Sequence, residues 1–232
     1  MEPGSNPSSA DVEKRAAAAR AAQLVEDGMV VGLGSGSTAE YAIEALGQRI
    51  RTEKLGITGV ATSYQASEAA RYAGIPQSPL WTVGEVDLVI DGADQVAGFN
   101  LIKGGGGAHV KEKIVAAMGN SVTIIVDSSK DVDVLDLPIP IEVVPDAQLS
   151  VQKRLTELGG EVQTRTSTGK LGPVISDNGN IILDADFGAI EEPHTIGSEI
   201  SVIPGVVDHG LFVAVAERVI IGTDSETIVR QE

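Results

Sequence analysis

The sequence predicts an α/β fold: a doubly wound parallel sheet joined to a smaller α+β unit. Three observations predict it. Short runs rich in Val and Ile alternate with helical patterns up to Val126. The turns that follow those runs are rich in Gly, Ser and Asp. Aromatics are only 3% of the 232 residues against 42% apolar, so Val, Ile, Leu and Ala must build the core, as suits strands covered on both faces.

An Ala-rich helix is expected over residues 11–27, stopped by Gly28. Met29 to Leu33 reads as a buried strand, and a helix opens at Ser37, where Ser37-Thr38-Ala39-Glu40 matches a capping box. Ile57 to Ala61 is a second strand, with Thr62-Ser63 leading into a helix over 64–73. Val86 to Ile90 and Ser121 to Val126 are further strands, separated by a helix that starts just after the glycines 104–107. Strands alternating with helices imply a Rossmann-like, doubly wound parallel sheet.

From about residue 138 the pattern changes. Ile139 to Val144 is a strand and 146–158 a helix ending at Gly159-Gly160. Glu161 to Thr166 is a strand, and 173–184 reads as two short strands around the turn Asp177-Asn178-Gly179. Residues 161–184 accommodate two or three strands. A helix over 192–203 and a strand from Val206 complete a split β-α-β unit of ferredoxin-like type. Leu211 to Ala216 and Arg218 to Ile221 are strands able to return to the first domain. The expected domains are therefore 1–137 with 213–232, and 138–212.

Composition excludes several classes of function. Absence of cysteine removes disulfides, thiolate catalysis and Cys-ligated metal, and fits a reducing compartment. The N-terminal MEPGSNPSSA lacks the apolar core of a secretory leader, and no apolar run is long enough to span a bilayer, so a cytoplasmic protein is expected. The net charge of −16 argues against nucleic acid and anionic membranes as partners. It reads as a solubilising surface, with adaptation to high salt as the alternative. Clustered cations then carry information, and three of eight lysines (Lys103, Lys111, Lys113) fall within eleven residues.

Three turns carry candidate chemistry. In Gly32 to Thr38, a Gly-rich strand-to-helix turn exposes backbone N–H groups to an anion, and Ser35, Ser37 and Thr38 add hydroxyls suited to phosphate around Gly36. The plainer alternative is a tight turn with an N-cap. A dinucleotide site would need an acidic residue ending the second strand, where Thr62-Ser63 stands instead. Asp91-Gly92-Ala93-Asp94 follows the strand ending at Ile90. Its two carboxylates can serve as acid and base toward sugar hydroxyls, or simply form an Asp-rich turn. No third carboxylate or His stands at metal-ligand spacing.

The third turn is Lys103-Gly104-Gly105-Gly106-Gly107-Ala108-His109-Val110-Lys111-Glu112-Lys113. Four successive glycines cost conformational entropy that close approach to a ligand offsets. On the following helix Val110, Ile114 and Met118 form the expected apolar stripe, and Glu112 points away from it. A glutamate so near a helix start is kept ionised, as a base requires, though an exposed glutamate is the commoner outcome. Lys103 supplies a fixed cation, and Lys130 in Asp127-Ser128-Ser129-Lys130 a second one at another strand end. His109, His194 and His209 are scattered, with His109 peripheral to the site.

Taken together, the chain resembles the A-type ribose-5-phosphate isomerases over nearly its whole length. The resemblance rests on GLGSGST (32–38), DGAD (91–94), KGGGGAHVKEK (103–113), DSSK (127–130), PIPIEVVP (138–145), DNGNIILD (177–184) and IPGVVDHGLF (203–212). It implies isomerisation of ribose 5-phosphate to ribulose 5-phosphate through a cis-enediolate in the pentose phosphate pathway, with no cofactor and no metal. Glu112 would be the base, Asp91 would assist ring opening, and Asp94 and Lys103 would manage charge on the reacting oxygens. Ser35, Gly36, Ser37, Thr38, Gly92, Ala93, Gly104, Gly105, Gly106 and Lys130 would bind substrate, with Lys14 a further phosphate contact. A homodimer or homotetramer is implied. Ser35 stands where the family commonly has Thr, and Gly107 and His109 where it has Ala and Leu. Two other readings are a phosphosugar sensor, which needs no base, and a nicotinamide oxidoreductase, which lacks its ribose acid.

Overall fold

The structure, a computed structural model, describes residues 8–232. The start of the chain, read above as lacking a leader, lies outside the described residues up to position 7. In chain order the first elements are α1 (Ser9–Ala22), β1 (Val30–Leu33), α2 (Ser37–Glu53), β2 (Thr58–Ala61), α3 (Tyr64–Ala73), β3 (Leu88–Asp91), β4 (Gln95–Ala97) and β5 (Asn100–Ile102). Then come α4 (His109–Ala117), β6 (Val122–Asp127), β7 (Ile139–Val143), α5 (Gln148–Glu157), β8 (Glu161–Thr164), β9 (Thr166–Ser167) and β10 (Lys170–Pro173). The last are β11 (Ile181–Asp186), α6 (Pro193–Ser201), β12 (Val206–His209), β13 (Leu211–Phe212), β14 (Arg218–Gly222) and β15 (Thr227–Gln231).

These elements form two compact units. One holds the described residues up to Gly92, with Val115–Asp131 and Ala216–Glu232; the other holds Ala93–Ile114 and Val132–Val215. The sequence reading put the divisions at 137/138 and 212/213, which leaves 93–114 with the first sheet. Those residues instead carry β4 and β5, three-residue strands too short to show a period. They pair with each other and with β13, which groups them with the second unit.

In the first unit a six-stranded sheet runs β15-β14-β6-β3-β1-β2, parallel throughout except for the antiparallel edge strand β15. The chain passes from β1 to β2 on one side and then crosses from β2 to β3 on the other side of β1, so the strand order reverses there. In such a sheet the carboxyl ends of β1 and β3 flank the crevice where ligands bind. Val31 and Leu33 pack into a core shared with Ala17, Ala18 and Ala21 of α1 and Ile43 and Leu46 of α2. Gly32, between them, faces Val115 of α4. Strand alternation therefore gives β1 a helical layer on each face, the doubly wound arrangement.

In the second unit the order β7-α5-β8-β11-α6-β12 folds into an antiparallel sheet β12-β7-β11-β8, the ferredoxin-like split β-α-β topology. Ile139, Ile141 and Val143 of β7 and Ile181 and Leu183 of β11 bury one face with Val151, Leu155 and Ile200 from α5 and α6.

Several expectations are corrected. The first helix ends at Ala22 rather than near 27, and Gly28 takes a left-handed conformation in the loop beyond, bonded to the Gly56 carbonyl. Ser37 is not an N-cap: Gly36 occupies that place at φ 90° and no side chain caps the helix. The turn about 177–179 forms, but its first arm is a single antiparallel bridge from Ile175 to Ile181 of β11 rather than a strand, and β10 pairs with β9. Leu211–Phe212 joins β5 instead of returning to the first sheet, while Arg218–Gly222 does return, beside β6. Among the described residues no helix is long and apolar enough to cross a membrane.

Candidate active site

In the first unit the site residues collect at the carboxyl ends of β1 and β3. Gly34 has no room for a side chain, because a Cβ there would lie 2.1 Å from Asp91 Oδ1 and 2.5 Å from Asp91 Cα. That close approach lets Ser35 N–H donate to Asp91 Oδ1 at 3.1 Å, and Gly92 N–H reaches the same oxygen at 2.7 Å. Asp91, 2% exposed, thus ties the two turns together.

Ser35 Oγ lies 2.8 Å from Thr62 Oγ1 and donates to Ser63 Oγ at 2.6 Å. The positions where a dinucleotide fold would need an acid therefore hold hydroxyls that brace Ser35. Ser37 and Thr38 open α2, where the first intrahelical bond runs from Glu40 N–H to Gly36 O and no side chain caps the N–H groups before it. An uncapped helix N-terminus is suited to an anion. Lys14 on α1 reaches Ser37 Oγ at 3.2 Å, which brings a cation to that turn.

Lys130 ends the turn after β6, and that turn has an anchor the sequence reading missed. Glu13, only 7% exposed, accepts from Ser128 N–H at 2.9 Å and from Ser128 Oγ at 2.8 Å. Its one signal in the sequence is its place four residues before Ala17, on the alanine face of α1.

In the second unit Asp94, Lys103, Gly104–Gly106 and Glu112 are brought together. The glycine run closes a turn in which Gly107 N–H donates to Gly104 O at 2.9 Å, and Gly104 adopts φ 97°, which a side chain would disfavour. Gly105 N–H donates to Asp94 Oδ2 at 2.7 Å. Ala93 adjoins Asp94 by sequence alone. Lys103 is anchored through its N–H to Gly210 O, and its Nζ lies 3.3 Å from Glu112 Oε1.

That ion pair overturns the expected face of α4. Glu112 is 4% exposed and Val115 fully buried, whereas Ile114 is 44% exposed. The helix turns His109, Val110, Glu112, Val115 and Ala116 inward, so of the expected stripe Val110 is buried and Ile114 is not. His109, read as peripheral, is wholly buried, its ring against the position where Gly104 would carry a Cβ. Burial and the nearby Lys113 and Arg165 cations push its pKa down to about 4; the Asp208 charge and backbone carbonyl oppose the shift without either ring nitrogen reaching hydrogen-bonding geometry. Lys113 is itself lowered by burial and donates to Asp208 Oδ1 and His209 O, both at 2.6 Å.

Chemically, the first unit offers an uncapped helix start with a neighbouring lysine. The second offers a buried carboxylate beside an ammonium and a turn of exposed glycine backbone. No group of three or more His, Cys, Asp or Glu suited to a metal ion occurs among the described residues.

The family model for ribose 5-phosphate isomerase A (phosphoriboisomerase A) matches residues 58–226. Ribose-5-phosphate isomerase A of Natronomonas pharaonis is 49% identical over 222 residues, covering 95% of this chain and 97% of the relative. That of Methanosarcina acetivorans is 47% identical over 230 residues, 98% of each chain. Among solved structures, ribose 5-phosphate isomerase A from Methanocaldococcus jannaschii superposes with a TM-score of 0.91 at 43% identity, covering 94% and 98% of the two chains. A D-ribose-5-phosphate isomerase in complex with phospho-erythronic acid does so at 0.94 and 39%, covering 96% and 99%. With a family model matched over most of its length and relatives nearly half identical from end to end, this chain belongs to the ribose 5-phosphate isomerase A family.

Proposed function

We propose that this protein interconverts ribose 5-phosphate and ribulose 5-phosphate, as a step of the pentose phosphate pathway, with Glu112 as general base. Family membership supports the substrate, and the buried pair Lys103–Glu112 beneath a glycine turn is the observation that carries the mechanism. The aldose is largely a closed furanose, so the first step is ring opening: Asp91 takes the proton of the C1 hydroxyl and returns it to the ring oxygen as the bond from that oxygen to C1 breaks, leaving the open-chain aldehyde. Glu112 then removes the proton from C2. The electron pair forms the C1–C2 double bond of a cis-enediolate, and the same carboxyl returns the proton at C1. One carbon is oxidised as its neighbour is reduced, so the step balances without an external electron carrier.

Negative charge grows on the two oxygens as C2 loses its proton. Lys103 is a fixed cation for it, Asp94 handles the hydroxyl proton, and glycine N–H groups donate to the oxyanion. Low exposure makes the ammonium effective, since little water competes with it. Phosphate binding is assigned to Gly36, Ser37 and Thr38 at the α2 terminus, with Lys14 and Lys130. Ser35, Gly92, Ala93, Gly104, Gly105 and Gly106 shape the turns that meet the sugar. Phospho-erythronic acid, which a relative binds, is a phosphorylated aldonic acid whose planar carboxylate resembles the enediolate, which supports the same substrate class here.

A sensor of sugar phosphates would need the helix terminus but not a buried carboxylate beside its own ammonium. A cytoplasmic homodimer or homotetramer belongs to the same reading, supported by family membership and a cysteine-free composition. The test is to incubate purified protein with ribose 5-phosphate and a chelator and follow ribulose 5-phosphate; no turnover would end the proposal.

A further inference from the structure

The glycine run is not oriented by its own turn alone. Arg165, just beyond β8, donates from Nη1 to Gly104 O at 2.8 Å and to Gly105 O at 3.1 Å. Its Nε donates to Asp184 Oδ2 at 2.9 Å, and Nη2 donates to Asp184 Oδ1, a bidentate pair across neighbouring strands. The guanidinium side chain is 16% exposed and the carboxylate 27%. A planar, always charged fork suits this double duty; an ammonium has no equivalent geometry.

Peptide geometry turns these contacts into a consequence. Among the described residues there are no cis peptide bonds, so each carbonyl points opposite to the N–H of the next residue. With Gly104 O drawn to Arg165, Gly105 N–H must point the other way, and it donates to Asp94 Oδ2. With Gly105 O drawn to the same guanidinium, Gly106 N–H is likewise turned away from Arg165. Gly105 and Gly106 are exposed, and no backbone acceptor for Gly106 N–H occurs among the described residues. Two successive N–H groups aimed the same way form an anion-binding concavity. Four glycines have no intrinsic preference for this arrangement.

We propose that Arg165, held by Asp184, is a positioning residue for the isomerisation: it orients the Gly104 and Gly105 peptides so that the Gly105 and Gly106 N–H groups face the developing oxyanion and Asp94. Arg165 acts through the loop and touches no reacting atom. The inference rests on the isomerase reading for its catalytic consequence, and on the loop geometry for its structural one.

The test uses the full chain with Arg165→Met, Arg165→Lys and Asp184→Asn. Losing one preorganised oxyanion donor costs on the order of 100-fold in kcat. Arg165→Met is therefore expected to lower kcat about 100-fold and to weaken phospho-erythronic acid inhibition by a similar factor. Competitive inhibition by inorganic phosphate should stay within about twofold, because the hydrogen bonds of Arg165 act on the Gly104 and Gly105 peptides and not on the proposed phosphate residues. Arg165→Lys keeps the charge but not the fork, and should recover only part of kcat. Asp184→Asn should fall between wild type and Arg165→Met, and replaces it if Arg165→Met does not fold.

Amide hydrogen exchange at Gly105 reads the brace without turnover. It should accelerate at least tenfold in Arg165→Met or Asp184→Asn, while exchange in β7 and β11 is unchanged. Unaltered Gly105 exchange would overturn the inference whether or not the protein is active. So would a kcat within threefold of wild type, or an equal loss of phosphate and phospho-erythronic acid binding. Faster exchange in a protein whose wild type never turns over ribose 5-phosphate would instead overturn the isomerase reading, and the catalytic role of Arg165 with it.

Discussion

Lys103 Nζ sits 3.3 Å from Glu112 Oε1, and the two side chains are 4% and 6% exposed, so each charge is largely cut off from water except through the other. Removing one member takes a buried counter-charge from the other, and breaking a buried pair in this way costs about 3–5 kcal/mol. Lys103→Met should therefore lower both stability and kcat. Glu112→Gln keeps the shape but removes the counter-charge of the ammonium, so it too should lose stability. Its kcat should fall by about 10²- to 10⁴-fold, the usual worth of a general base. Chemical denaturation alongside steady-state kinetics checks both, and a Glu112→Gln protein with wild-type kcat would remove Glu112 from the role.

Gly34→Ala tests the junction of the two turns in the first unit. The new Cβ meets Asp91 at both carboxylate and main chain, so a rotamer change cannot relieve it. A loss of about 2–3 kcal/mol is expected from overpacking, with a larger fall in kcat/KM than the same change at Gly84, which faces open space. Equal effects at the two glycines would contradict the close approach.

Glu13 is expected to act through the turn it holds. Glu13→Ala leaves the two Ser128 donors without their acceptor and should cost about 1–3 kcal/mol. Because that turn carries Lys130, KM for the sugar phosphate should rise more than kcat falls. Glu13→Gln retains an acceptor oxygen and should restore most of both. If KM is unmoved in Glu13→Ala, Lys130 does not bind phosphate from this position.

Acid sensitivity follows from the buried histidines. His109 and His209 are each pushed down to about 4, chiefly by burial and then by the Lys113 cation. His209 stays neutral as the partner of Ser201 Oγ and of Leu211 N–H, which donates to its Nδ1. Both folded-state values lie below the unfolded value of about 6.5, so the unfolded chain binds protons that the folded one refuses. Stability is then full above about pH 6.5 and is lost as pH falls toward 4, by up to about 1.4 kcal/mol per pH unit for each histidine. His109→Leu should remove one such contribution, so its stability gain over wild type should grow as pH falls from about 6.5 toward 4. Urea midpoints for the two proteins that run parallel between pH 7 and 4.5 would refute the burial argument.

How much of this was legible in the sequence depends on the range of the interactions. The apolar runs at Val30–Leu33, Leu88–Asp91 and Val122–Asp127, and the helix at Tyr64–Ala73, follow from local pattern and capping residues. The β4–β5 hairpin escapes because three-residue strands carry no period, and it is held by β13 more than a hundred residues away. Ser37 satisfied the capping-box pattern, yet Gly36 took the cap because only glycine tolerates that backbone turn easily. Glu112 was found as a chemical candidate but misplaced as outward-facing; Lys103 compensates its charge and makes a carboxylate acceptable on a buried face. Arg165 and Asp184 gave no local signal, since their meeting depends on the register of β8 against β11.

The central claim, proton transfer by Glu112 between adjacent carbons, is tested most directly by running the isomerisation of ribose 5-phosphate in D2O with chelator present. The product is analysed by NMR for wild type and Glu112→Gln. Ribulose 5-phosphate bearing solvent deuterium at C1 is expected from the wild-type enzyme, with both turnover and incorporation reduced at least about 100-fold in Glu112→Gln. Undiminished turnover and labelling in Glu112→Gln, or no ribulose 5-phosphate from the wild type, would contradict that claim.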